Sequence, residues 1–187
     1  SGAVMNDPVL ADGKLYFSTL AKEVVEMDLS TGDIRTLLTT TGEIWASPLL
    51  VNDKLVAGDM SGYVYCVDIN TAEPVWTTDK VTADKIGFIA SPVALDEDLV
   101  LLIDENGETI VYDMDGKSVA QRSQNLTVYT TPAVLENGSF VVLPVSADGE
   151  IKAYTASLKE DWVYVHASDK SGSKTESTET PVSEEGK

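Results

Sequence analysis

"ASPLLVNDKLVAGDMSGYVYCVDINTAEPVW", residues Ala46 to Trp76, sets short apolar runs ("PLLV", "KLVAG", "YVYCV", "PVW") between clusters of turn-forming residues ("ND", "DMSG", "DINTAE"). Runs of this length, rich in β-branched and aromatic residues and spaced by Gly, Asn and Asp, read as strands joined by tight turns. The stretch is one copy of a repeat. Pro8, Pro48, Pro92 and Pro132 recur at spacings of 40, 44 and 40 residues, each followed by an apolar pair. After each proline comes a polar turn and an apolar run: "KLYFS", "KLVAG", "LVLLI" or "SFVVLPV". The second turn repeats most closely. Asp59 to Gly62 leads on to Asp68, and Asp104 to Gly107 leads to Asp113 at the same spacing. Gly149, leading to Thr155, is a weaker copy, and the first unit reaches Asp28 through Lys22 with no glycine. Four strands per unit and four units predict an all-β chain of four-stranded antiparallel sheets, with units at about 2–40, 42–80, 86–124 and 127–166.

The third strands decide how the sheets pack. In "YVYCV", Tyr63 and Tyr65 point to one side and Val64 and Cys66 to the other, so both faces of the sheet are apolar. A strand buried on both faces belongs in a stack. Four-stranded sheets set face to face around an axis bury both sides of every sheet, which is the β-propeller arrangement. The glycines Gly62, Gly107 and Gly149 suit hairpins that need positive φ, and Asn106-Gly107 and Asn137-Gly138 are strong two-residue turn signals.

Composition narrows the partners. The 187 residues carry 13 basic and 31 acidic side chains, a formal charge of −18. Such a charge repels nucleic acid and anionic membrane surfaces and leaves neutral or basic protein or peptide partners. No apolar run approaches the ~20 residues that cross a bilayer, so direct membrane insertion is not expected. Residues 168–187 are Ser, Thr and Glu rich with almost no large apolar side chain, and read as a disordered tail or linker. Cys66, the only cysteine, sits in an apolar strand and reads as a buried, inert thiol. The lone His166 follows "WVYV" with no partner in view, so no Ser-His-Asp set can be assembled.

The proline, the D-x-x-G turn, the strand ending in aspartate and the closing T-(G/A)-x-x-x-W, best seen from Ala46 to Trp76, resemble the repeat of the pyrroloquinoline-quinone-like, or quinoprotein-type, propellers. The first unit keeps Asp28, Thr31 and Gly32 but has Thr36 where the tryptophan would stand; in the fourth, Trp162 is displaced by about one residue. The resemblance implies that Trp76 and Trp162 are structural pins between neighbouring units rather than ligand platforms. Trp45, in "EIWASP", falls beside the expected central channel, as do Phe88 and Tyr129 in the next two units, making a channel-lining or partner-binding patch the alternative to a plain core role.

Catalytic members of this family need a carboxylate base, a calcium site and cationic or aromatic clamps for the quinone. Here there are no insertions between units and only Arg35 and Arg122 as arginines. The acidic turns at Asp104, Glu105, Asp113 and Asp115 lack the later ligands of a calcium loop and follow ordinary turn preferences. No catalytic, cofactor or metal site is expected. The resemblance implies instead a non-catalytic extracytoplasmic scaffold for protein interaction, like the BamB-like propeller lipoproteins of outer-membrane barrel assembly, placed in the periplasm, at the cell surface or outside the cell. A fragment of a quinoprotein-like dehydrogenase, or a ligand-binding sensor module of a surface-anchored protein, stands as the alternative.

Family rings have roughly seven or eight blades, and four units would leave two apolar faces in water. Further blades in the native chain, favoured by the non-Met start, closure as a four-bladed ring, and a homodimer completing the ring are the three remedies.

Overall fold

The computed structural model describes residues 2–82, 86–146 and 149–165. His166 and the 168–187 segment lie outside them. The described residues form sixteen strands and no helix, hence none long and apolar enough to cross a membrane.

The first blade comprises β1 (Val9–Ala11), β2 (Lys14–Ser18), β3 (Glu23–Asp28) and β4 (Ile34–Thr39). The second comprises β5 (Leu49–Val51), β6 (Lys54–Gly58), β7 (Val64–Asp68) and β8 (Pro74–Thr77). The third runs through β9 (Val93–Ala94), β10 (Leu99–Ile103), β11 (Glu108–Asp113) and β12 (Ser118–Ser123), and the fourth through β13 (Ala133–Val134), β14 (Phe140–Val142), β15 (Ile151–Tyr154) and β16 (Glu160–Tyr164). Each blade is an antiparallel meander with its strands paired in chain order. The architecture is therefore the partial β-propeller that the repeat predicts.

Register explains the doubly apolar strands. Directly opposite residues share a face of the sheet, so each blade carries one cross-strand row facing the blade after it and one facing the blade before. The forward rows are Val9-Tyr16-Glu26-Arg35, Leu49-Val56-Cys66-Trp76, Val93-Leu101-Val111-Ala120 and Ala133-Val141-Ala153-Trp162. The backward rows are Leu10-Leu15-Met27-Ile34, Leu50-Leu55-Val67-Pro74, Ala94-Val100-Tyr112-Ser118 and Val134-Phe140-Tyr154-Glu160. Three cores result, one at each joint. Tyr16 and Val24 meet Leu55, Ala57 and Val67 between blades one and two. Val56, Val64 and Cys66 meet Phe88, Val100 and Tyr112 between two and three. Leu101, Ile103 and Val111 meet Val128, Phe140 and Tyr154 between three and four. Apolar area removed from water stabilises by ~25 cal/mol per Å², and these joints are where the three buried apolar clusters lie.

The turns follow the sequence signals. Gly62, Gly107 and Gly149 have φ of 86°, 80° and 65°, and Lys22, where the first unit lacks glycine, takes φ 67°. Asp28, Asp68 and Asp113 close the turn between third and fourth strands. Asp68 Oδ1 accepts from the backbone N–H groups of Asn70 and Thr71, both at 2.9 Å. Asp28 does the same for Ser30 and Thr31, and Asp113 for Asp115 and Lys117.

Candidate functional site

The prolines lead each blade into its innermost strand, and the residues just before them build the feature common to all four units. A belt of hydrogen bonds runs from blade to blade. The backbone N–H of Asp7 donates to Ser47 Oγ (3.0 Å), that of Ser47 to Ser91 Oγ (2.9 Å) and that of Ser91 to Thr131 Oγ1 (3.1 Å). Asp7, Ser47, Ser91 and Thr131 each sit one residue before a repeat proline. Pro48, Pro92 and Pro132 are buried beneath this belt, while Pro8, at the first blade, is exposed.

Two residues before each belt position stands Met5, Trp45, Ile89 or Tyr129. Met5, Trp45 and Tyr129 are 60%, 41% and 50% exposed, and Ile89 is half-buried. The Trp45 indole N–H donates to Glu43 Oε2 at 3.2 Å, which fixes the ring at the surface. Equivalent repeat positions put this apolar set on one end of successive blades. Phe88 does not belong to it. It is fully buried, beside a bare spot on Gly58 where a Cβ would come within 2.8 Å of its ring. Ile44, Phe88 and Val128 occupy one repeat position and all have zero exposure, so the residue that matches Trp45 in the third unit is Ile89.

Trp76 and Trp162 occupy one register position, opposite Cys66 and Ala153. Trp76 packs on Tyr112 of the next blade with ring centroids 5.7 Å apart, and its indole N–H donates to the Met114 carbonyl at 3.2 Å. Gly116 makes the room: a Cβ there would lie 2.6 Å from the indole. In the first blade this register position belongs to Arg35, not Thr36, because the bulge between β3 and β4 falls two pairs later than in the second blade. Arg35 reaches the same kind of target, donating to the carbonyls of Ile69 and Asn70 on the next blade and to Glu26 Oε2 at 3.0 Å. Glu26 is buried, which would push its carboxyl up, but the bonds from Lys14 (3.1 Å) and Arg35 outweigh this and hold it below its ordinary value. Arg122 makes the third joint's equivalent bond, donating to the Leu158 carbonyl at 2.7 Å with its guanidinium over the Tyr154 ring.

The other chemistry-bearing groups are committed to structure. Asp59 is fully buried, its Oδ1 accepting from the N–H groups of Ser61 and Tyr63 and its Oδ2 from Gly42 N–H and Tyr65 O–H. Burial raises the Asp104 carboxyl above its usual value against the bonds it accepts from Glu108 and Asn106. Burial pushes the Cys66 thiol up to about 12. Among the described residues no group of three or more His, Cys, Asp or Glu is placed to hold a metal ion.

The model of the family described as outer membrane protein assembly factor BamB matches residues 1–78 and 61–185. The chain belongs to this BamB-like family of PQQ-type propeller repeats. Its fold is similar to that of BamB from Moraxella catarrhalis, at 18% identity and a TM-score of 0.65, covering 87% of this chain and 65% of that one. A quinohemoprotein alcohol dehydrogenase from Comamonas testosteroni matches at 16% identity and a TM-score of 0.71, over 87% of this chain and 35% of that one. The computationally designed Ika8 protein matches at 16% identity and a TM-score of 0.67, over 86% of this chain and 52% of that one. In sequence, a stretch is 33% identical over 78 residues to the beta-alanine-activating enzyme of Danio rerio, covering 38% of this chain and 7% of that enzyme. The chain thus spans less than two thirds of each of these proteins. A quinohemoprotein alcohol dehydrogenase and a BamB share the fold, so the fold alone does not decide whether the chain catalyses a reaction.

Proposed function

We propose that this chain is a non-catalytic, extracytoplasmic propeller scaffold that binds protein at the end of the blades where Met5, Trp45, Ile89 and Tyr129 recur. The observation that carries the reading is the exposure of Trp45 and Tyr129 at one repeat position, where the residue just before each, Ile44 or Val128, is fully buried. Exposed aromatic side chains set on rigid, hydrogen-bonded positions are the groups that anchor protein interfaces. The acidic character of the chain selects neutral or basic polypeptide segments. Membership of the BamB-like family supports a periplasmic, cell-surface or secreted location. A second copy of the chain, completing the ring, is included among the protein partners.

Titration calorimetry with neutral and basic peptides of alternating apolar pattern tests the reading. Binding should weaken by about tenfold or more, the range of an interface anchor, in Trp45→Ser and Tyr129→Ser variants with unchanged circular dichroism. Affinity indifferent to both substitutions would remove the assignment. Saturable binding of pyrroloquinoline quinone with calcium, followed by tryptophan fluorescence, would support a quinoprotein-like fragment instead.

A further inference from the structure

Among the described residues the arc ends in two unpartnered apolar faces, and they are the two halves of the joint it uses three times internally. On the fourth blade the forward row Ala133-Val141-Ala153-Trp162 has no blade in front of it, leaving Trp162 43% exposed. On the first blade the backward row Leu10-Leu15-Met27-Ile34 has none behind it, with Leu10 and Ile34 each 65% exposed. We propose that a second copy of the same chain closes the ring head to tail, the Trp162 face of each copy seating on the Leu10 and Ile34 face of the other. The inference rests on the reading that a second copy is among the partners, and fixes where it docks.

The Trp76 joint shows what Trp162 lacks. Trp76 spends its N–H on the Met114 carbonyl, one residue after Asp113, and lies over Gly116. The counterpart of Met114 on the first blade is Leu29, one residue after Asp28 and 49% exposed. The left-handed turn residue there is Gly32, at φ +78°, with nothing within 4 Å of where its Cβ would be. The acceptor turn for an indole is thus present and uncovered. The belt ends in the same complementary way. Among the described residues the Thr131 N–H has no acceptor, while the Asp7 carboxylate, in the position of the Ser47, Ser91 and Thr131 hydroxyls, accepts nothing. Thr131 of one copy and Asp7 of the other therefore complete the belt.

Size agrees with closure by two copies. The arc matches 52% of the Ika8 chain, so two arcs account for about one such propeller. A blade face of four strands at ~4.8 Å and about five residues at ~3.3 Å covers roughly 300 Å², and two joints of two faces reach ~1,200 Å², the lower bound of specific interfaces. Each copy supplies one forward and one backward face, so a two-fold closes both joints and leaves none open. Both copies are acidic, so the dimer should tighten as salt screens their repulsion.

Sedimentation equilibrium on the full chain at about 1 to 100 µM, the range that resolves micromolar affinities, tests the assignment. The expected mass is twice 20.1 kDa, and Trp162→Ala and Ile34→Asp should each weaken dimerisation by about 30-fold or more, as for an interface hot spot. Val75→Asp, on an exposed residue outside both rows, is the control and should leave it unchanged. Mixing the Trp162→Ala and Ile34→Asp variants should restore dimer, because one of the two joints then has both wild-type faces; a face-to-face dimer has no such rescue. A monomer throughout, or mass growing beyond two copies, overturns the closed ring. A dimer indifferent to both variants keeps the self-association and removes this docking, and peptide binding at Trp45 and Tyr129 is read separately from either.

Discussion

Replacing Trp76 by alanine removes the pin of the second joint, and the structure allows the cost to be worked out. The indole is half-buried between blades, so about 100 Å² of apolar contact is lost, worth ~2.5 kcal/mol at ~25 cal/mol per Å². Loss of the ring pair with Tyr112 adds roughly 0.5 to 1 kcal/mol. Loss of the N–H bond to Met114 adds little, because that carbonyl also accepts from Lys54 Nζ at 3.2 Å and keeps a partner. The sum is about 3 kcal/mol. With a urea slope of ~2 kcal/mol per M, the midpoint should fall by about 1.5 M. Far-ultraviolet circular dichroism is the appropriate probe, since the substitution deletes a fluorophore. Trp76→Phe, which keeps a ring contact but covers less apolar area, should cost about 1 kcal/mol. A loss below about 1 kcal/mol for Trp76→Ala would refute the view that blade docking, rather than each sheet's own pairing, holds the arc together.

Gly116→Ala should be destabilising by more than about 1 kcal/mol in the same assay, because φ is +85° and the new methyl meets the Trp76 ring; the double variant with Trp76→Ala should cost less than the sum. Cys66 should resist iodoacetamide at pH 8.5 in the native chain and react at once in denaturant, its thiol being buried and held protonated; native labelling at the denatured rate would contradict its burial. Asp28 and Asp68 are held below their ordinary range, Asp28 first by the Ser30 hydroxyl and Asp68 first by the Thr71 N–H. A lowered carboxyl gives stability that is complete above its unfolded value, ~3.9, and is lost as pH falls through the lower folded value. The penalty of Asp68→Ala, measured by urea unfolding, should therefore shrink between about pH 5 and pH 2; a penalty that grows in acid would show that the turn does not depend on the ionised carboxylate.

The blade plan is legible in the sequence because turns are local. Gly62 and Gly107 announce positive φ, and Asp68 with Asn70 and Thr71 forms a turn within its own few residues. What could not be read depends on where a bulge falls. Asp28 plus the repeat spacing points at Thr36, yet a shift of one residue in the β3 to β4 pairing hands the docking position to Arg35. Glu26 was the available signal: a carboxylate in the middle of an apolar strand requires a cation, and Arg35 is its partner. The sequence points Phe88 to the channel for a similar reason. It adjoins Ile89, and in an extended segment adjacent residues face opposite ways, so a one-residue ambiguity exchanges a surface group for a core group. Composition points to the interior for both, and only the close approach of Gly58 decides between them.

The three joints share a geometry but not a fastener: an arginine backed by a buried glutamate, an indole over a glycine, and a guanidinium over a tyrosine ring. Chains built from near-identical tandem modules risk shuffling, since a module that stacks equally well on any other gives a newly made polypeptide several compact but wrong orders. Here each seam carries its own key. The divergence among the repeats therefore acts as an assembly code, penalising a blade that skips its neighbour before the arc is complete.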